Sequence, residues 1–475
     1  MKFSSFIMLL QGLLGLCLVL LTAACTVVGK PAAPPRAAAG QFTLFLQPLP
    51  QEVHRLTFTL GELTALRLDG GEIPLPLQQS RIEGDRLVGV QTRLINLTLP
   101  PGRYRGIAVR IASAEVRGEE GEVELLPPGE RLVVESPFTI REDQAETLFL
   151  SLGAERLVTD GVLFTPRFSL WKPERTLVNL KGFVSSSATP SLTLFNKRTA
   201  QVLGSIQVGS TAGDLVLDQR RGWLYVALTE ANAIAVIEVN SGALLGRVPL
   251  RFGDRPTELA LTPSGRLLVS LNPGSSSVSI IDTQALFETA RVRLATEPNN
   301  IFIGVDDTRA YVTHAAASLL SMIDLQARAV RRTVSLEESP LDGAASANGR
   351  ELYLINEFSA ELSVLDAASL TLRNSVFIGN GAVSIKADST SGLLYVGMED
   401  GRIAVVEPRT AMAIDAYTLP PEPVRAMTID NEENALLALL PQSGRLLKID
   451  LVSKKELGRL DLGAGGHAVV VMGAR

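Results

Sequence analysis

Seven positions that recur every 41 to 44 residues hold most of the side chains suited to chemistry: Asp214, Glu258, Asn300, Asp342, Val383, Arg425 and His467. Six of the seven are polar or ionisable, and their sequence neighbours are mostly small or apolar. Gathered at one rim, they set three carboxylates against one permanent cation, with His467 titrating nearest neutrality. Like charges in a confined mouth raise a carboxylate pKa or recruit a positive group. The set suits a small cationic ligand, a basic loop of a docking protein, or a plug of ordered water. It does not suit catalysis, because no nucleophile, base and orienting group follow one another recognisably, and no catalytic residue is assigned. His314, in a segment that also supplies Glu230, Asn272, Glu357, Glu399 and Asp400 from equivalent places, joins the candidate set. No ligand spacing for a metal is present, and neither metal nor cofactor is expected.

A repeat must position these residues. Beyond about residue 176, an aromatic or Leu followed by small apolar residues stands at Phe183, Tyr225, Leu268, Tyr311, Tyr353, Tyr395 and Leu436. About 13 residues later comes an apolar residue and then Asn196, Glu238, Asp282, Asp324, Asp366, Glu407 or Asp450. This period is the length of one four-stranded blade. The polar member starts a tight turn, where a short acceptor side chain bonds nearby backbone N–H groups. Asp306-Asp307 and Asp430-Asn431-Glu432-Glu433 read as solvated turns. Tyr311-Val312-Thr313, SVSIID and ELSVLD resemble the YVTN family of β-propeller repeats, over about 300 residues. Counting strands leaves three before Asp214 and one at the end, from His467 to Met472. Pairing these predicts a seven-bladed β-propeller over residues 176–475, closed by its C-terminal strand so that no sheet edge is left free.

Ahead of the repeat, residues 41–172 alternate with period two in runs such as FTLFLQPL, HRLTFTLGEL, TALRL and YRGIAVRIASAEV, broken by Gly-Gly and Pro-Pro-Gly. That pattern predicts an antiparallel β-sandwich, so the fold class is all-β. Leu99-Pro100-Pro101-Gly102-Arg103-Tyr104 resembles the LPxGxY turn-into-strand element of transthyretin-like and related lipoprotein domains, which implies a fold and no activity. His54 stands without a second ligand candidate nearby and reads as a surface histidine.

The two cysteines, Cys17 and Cys25, both fall in the first 25 residues, so the body has no disulfide, thiol nucleophile or Cys-x-x-Cys-His haem attachment. Lys2 precedes an apolar run from Phe6 to Leu21, too short for an ordinary membrane span. Leu21-Thr22-Ala23-Ala24-Cys25 is similar to the bacterial lipobox, which implies a leader over residues 1–24 and a lipidated Cys25. Residues 25–40, rich in Pro and Ala, read as a tether. The expected location is the cell envelope through this lipid anchor. Thr26 in place of Asp favours the outer membrane in a diderm source.

With a formal net charge of −5 and no basic block, nucleic acid is excluded as a partner. The expected function is a non-catalytic binding or scaffold protein presenting a propeller face to a protein, polysaccharide or small ligand. The YVTN resemblance implies surface proteins. Related propellers include lactonases and quinoproteins, so an enzyme of that type is the alternative. Electron transfer in the manner of haem-d1 propellers is disfavoured, because the repeat region has only His314 and His467.

Overall fold

In the computed structural model, residues 39–118, 121–172 and 176–473 are described. The expected leader, Cys25 and the expected tether up to residue 38 lie outside the described residues. The described residues from Ala39 onward are almost entirely β, with one short α-helix among them at Gly84–Leu87 and a few 3-10 turns. Among the described residues no helix is long and apolar enough to cross a membrane.

The first region builds two sheets. One runs in the order Phe168–Trp171, Ala145–Leu152, Gly40–Leu46, Thr92–Leu99. The other centres on two long strands, Leu56–Arg67 and Gly102–Arg117, with four short strands along their edges. Both sheets send alternate side chains into one core, with Phe42 and Leu150 from the first meeting Phe58 and Ile107 from the second. Two expectations need correction. HRLTFTLGEL and TALRL form one strand, with register shifts on both sides of Leu60 that let it bend without ending. Antiparallel pairing also fails between two of the strands, since Gly40–Leu46 pairs Ala145–Leu152 in parallel. The whole second sheet intervenes between those two strands and supplies the crossover that parallel pairing requires. The LPxGxY element works through Tyr104, which is buried, stacks on Phe138 at 4.9 Å and donates its hydroxyl to the Pro100 carbonyl at 2.8 Å.

The repeat region consists of seven four-stranded antiparallel sheets, the repeated unit of a β-propeller. In chain order they are entered at Lys181–Ser186, Ala212–Asp218, Glu258–Leu261, Asn300–Ile303, Ser339–Ala345, Ala382–Ala387 and Ala426–Asp430. Six are simple meanders; in the first, Gly466–Val471 from the chain end adds itself beside Lys181–Ser186 as the innermost strand. Each innermost strand lies against that of the next sheet, and Gly466–Val471 touches both the seventh sheet and the second. Second strands such as Trp223–Leu228 and Ala435–Leu440 are covered on both faces, so they read as continuous apolar runs. The cores lie between sheets, as where Tyr353 and Ile355 meet Leu394 and Val396.

The turn residues act locally. Asn196, Asp282, Asp324, Asp366 and Asp450 each accept two backbone N–H groups from the two or three residues that follow. Asp430 is a correction to the solvated-turn reading. It is fully buried, and Lys197 Nζ from the first sheet lies 3.0 Å from its Oδ2. The same ammonium donates to the Met472 carbonyl at 2.6 Å, so one lysine fastens first sheet, last sheet and closing strand. Asp307 is likewise no free turn, because it accepts the backbone N–H of Ser264 in the preceding sheet at 3.0 Å.

The first region covers the outside of this seam. Gln91 pairs with the backbone of Val202, accepting its N–H at 2.7 Å, and bridges to Leu460. Phe45 and Phe149 pack with Val202, Leu460 and Leu462. The outer strands of the first and seventh sheets, otherwise open edges, are thereby blunted.

Candidate functional site

The seven recurrent positions fall at the entry of the innermost strands. Glu258 and Asn300 open their strands, Arg425 immediately precedes one, and the others sit within the first four residues. In the second, fifth and sixth sheets a register shift falls at this position, between Ala212 and Leu215, Pro340 and Asp342, and Ala382 and Ser384. Such irregularities re-aim a side chain out of the regular pleat.

Two of the carboxylates do identical local work. Asp214 accepts the N–H of Leu215 at 2.7 Å and that of Leu259, on the next innermost strand, at 3.0 Å. Asp342 accepts from Gly343 at 2.7 Å and from Ile385 on the next strand at 3.2 Å. Each carboxylate therefore stitches one sheet to its neighbour through donors on the channel-facing edge.

Their titration is displaced all the same. Burial pushes Asp214 up to about 7, with the negative charge of Glu258 adding to it and His467 working against it. Burial likewise pushes Asp342 up to about 7, and Glu258 adds to that as well. His467 Nε2 stands 3.8 Å from Glu258 Oε1. Its pKa is raised, first by the close approach of the Glu258 carboxylate and then by the charge of Asp214, against desolvation. Asp214, Glu258 and His467 thus form one coupled group, and Asp342 lies in the same field. Asp214 and Asp342 are therefore partly protonated near neutral pH.

The other candidates stand apart from that group. Asn300 Oδ1 is buried with no hydrogen-bond partner among the described residues, a natural place for an ordered water. Arg425 is exposed and forms no hydrogen bond or ion pair among the described residues. His314 lies elsewhere: it ends the second strand of the fourth sheet at 1% exposure, away from the loop surface where register put it. Its Nδ1 meets the Thr296 hydroxyl at 3.0 Å and its Nε2 the Ser321 hydroxyl at 3.0 Å, while burial lowers its pKa. It fills the space between the third and fourth sheets as a neutral ring. Sequence reasoning missed Lys386, whose charge opposes the rise at Asp342. Its place three residues after Val383, beside the one apolar ring position, was the available signal. No group of three or more His, Cys, Asp or Glu among the described residues is arranged to hold a metal ion.

No protein-family model matches this chain, and no curated protein matches it. Among solved structures, a functionally unknown protein from Desulfotomaculum acetoxidans is similar with a TM-score of 0.55 at 13% identity, over 62% of this chain and 99% of its own. Dihydro-heme d1 dehydrogenase NirN in complex with DHE gives 0.50 at 13% identity, over 64% and 77%. The β-propeller domain of Cps50 (Swd1) from Myceliophteria thermophila gives 0.47 at 12%, over 53% and 86%. At such identities the likeness concerns the fold alone.

Proposed function

We propose that this chain is an exported, lipid-anchored protein of the cell envelope that binds a partner at the mouth of a seven-bladed propeller and performs no chemistry on it. In this reading residues 1–24 are the leader, Cys25 carries the lipid, and residues 25–40 lift the body from the membrane, the outer one in a diderm source. Residues 41–172 form a β-sandwich and residues 176–475 a ring of the YVTN kind. Support for the ring comes from seven four-stranded sheets whose innermost strands succeed one another back to the start.

The observation that carries the binding reading is the coupled group of Asp214, Glu258 and His467, with Asp342 in its field. A negative group of this kind at a concave mouth favours a positive one, offered by an envelope protein, a polysaccharide or a small ligand. The alternative of a lactonase-type or quinoprotein-type enzyme draws on fold resemblance alone, and fold does not supply function.

One experiment tests both halves. The full chain, as wild type, Cys25→Ser and the double variant Asp214→Asn/Glu258→Gln, is expressed in its own envelope, labelled with a palmitate analogue, cross-linked and recovered. Cys25→Ser is expected to stay unprocessed and unlabelled. The double variant is expected to stay anchored but to lose the cross-linked partner. A labelled Cys25→Ser protein overturns the anchor, and unchanged partner recovery by the double variant overturns the mouth.

A further inference from the structure

Between the fourth and fifth sheets lies a cleft of about 360 Å³ whose lining includes Glu337, Glu338 and Glu361 but no Lys or Arg. The equivalent space between the second and third sheets shows what such a cleft holds when full. There Arg291 lies almost buried, its two terminal nitrogens 2.6 and 2.7 Å from the carboxylate oxygens of Asp254. Its Nη1 also donates to Ser277 Oγ at 3.2 Å, and Asp254 is further bound by Ser275.

The two places share a register, and several of their residues correspond. Asp254 stands four residues before the ring position Glu258, and Glu338 stands four before the ring position Asp342. Ser275 bonds Asp254, and in the same relation Ser359 donates to Glu338 Oε1 at 2.9 Å. Asn272 donates to Ser279 at 2.8 Å, as Asn356 does to Ser363 at 2.9 Å. Opposite Ser279 in the ladder stands Arg291; opposite Ser363 stands Ser375. The fifth sheet thus keeps a carboxylate, the serine that orients it and the Asn–Ser pair, and lacks both the guanidinium and a second carboxylate, since Glu288, which binds Arg291 at 2.7 and 3.0 Å, has Leu372 as its counterpart. Glu338 Oε2 is buried with no hydrogen-bond partner among the described residues, a costly state for a carboxylate oxygen. A second acidic group, Glu361, takes the place of Ser277. The intervening gap, between the third and fourth sheets, is closed from within by His314.

We infer that this cleft is a receptor for an arginine side chain of a partner protein, which occupies the place that Arg291 fills one repeat pair earlier. The guanidinium fork meets Glu338 as Arg291 meets Asp254, with Glu361 as second acceptor. Next to the cleft, Phe358 and Phe377 are 94% and 71% exposed and offer apolar surface to the chain that carries the arginine. This site uses none of the ring residues, so it stands or falls separately from the channel-mouth reading.

The test uses the full chain in detergent, with Nα-acetyl-arginine methylamide as probe and its neutral citrulline isostere as control, followed by saturation-transfer NMR. The arginine probe is expected to bind at least tenfold more tightly than citrulline. Glu338→Gln should remove most of that preference. Ser375→Arg should fill the cleft from within, abolish probe binding and raise the melting temperature by a few degrees, and that rise should vanish when Glu338→Gln is added. Equal binding of arginine and citrulline overturns the inference, as does probe binding unchanged in Ser375→Arg. A lysine analogue binding as well as arginine also overturns it, since the template is a fork and not a point charge.

Discussion

The seam between the seventh and first sheets and the mouth of the channel both hold charge away from bulk water, but they treat it oppositely. At the seam, Lys197 and Asp430 are 1% and 0% exposed, and the ammonium meets Asp430, Glu432 and the Met472 carbonyl within 3.0 Å. Opposite charges are matched, and the first region packs over the join. At the mouth, Asp214 and Asp342 accept only backbone N–H groups among the described residues, and the largest charge effect on each comes from Glu258, with His467 and Lys386 opposing it only in part. Matched burial fastens a ring, whereas burial only partly compensated at an opening costs stability that a proton or a positive occupant recovers. The difference separates structural charge from charge available for binding.

The strongest way to break this comparison is to remove the seam lysine. Lys197→Met leaves Asp430 buried without its cation, and losing one partner of a buried pair costs about 3–5 kcal/mol. Urea denaturation of the variant should show a midpoint lowered accordingly. Lys197→Met/Asp430→Leu should recover more than half of the loss, because the stranded charge has gone too. A loss below about 1 kcal/mol in the single variant means that the seam is held by strand pairing and packing alone.

The mouth is predicted to respond to pH. In the fold Asp214 and Asp342 titrate at about 7, against about 3.9 in an unfolded chain. Between those values the native state keeps protons that the unfolded chain has released, so stability falls as pH rises from about 4 to 7 and levels off above. His467, also raised, adds stability that is complete below its unfolded value of about 6.5 and is lost as pH rises through its higher folded value. All three groups act in the same direction. Asp342→Asn removes one of them and should flatten the decline between pH 5 and pH 8 by on the order of 1–3 kcal/mol, after allowance for water at the mouth. At pH 5 the variant should be slightly less stable than its parent, because Gly343 and Ile385 donate to different oxygens of Asp342 and an amide puts a donor NH2 in place of one of them. A parallel pair of pH profiles would show that Asp342 ionises freely and that the mouth is not the partly compensated site described.

Local chemistry was legible in the sequence and long-range compensation was not. Asp282, Asp324 and Asp366 act on their own backbone, so residue type and position were enough to read them. The ring positions were legible because the period places them on equivalent strands whatever their side chains do. Lys197 and Asp430 lie 233 residues apart, and DNEE looks like any solvated turn until closure brings the first sheet to the last. His314 was assigned to a loop by register, but hydroxyls at Thr296 and Ser321 make burial of a neutral ring inexpensive. In the first region, alternation revealed strands but not partners, and the parallel pair of Gly40–Leu46 with Ala145–Leu152 followed from the route of the chain between them.

The smallest expected effect sharpens the comparison within the seam itself. Arg198 is the residue next to Lys197, and its Nε lies 2.9 Å from Glu433 Oε1, so geometry alone would rank the two pairs together. Arg198 is exposed, however, and water solvates its guanidinium with or without the partner. Glu433 does not depend on it, since Lys448 Nζ lies 3.6 Å from its other oxygen and is itself fixed to the Arg198 carbonyl at 3.1 Å, a bond that any residue at position 198 preserves. Arg198→Ala should therefore cost only about 0.2–1 kcal/mol. In 0.5 M salt the difference from wild type should disappear, because screening over about 4 Å acts on exposed pairs and hardly on buried ones, while the cost of Lys197→Met should persist. Denaturation of both variants at low and high salt measures this directly. If Arg198→Ala costs as much as Lys197→Met, or if both costs vanish together in salt, burial is not what divides the fastening charges of this seam from its ornamental ones.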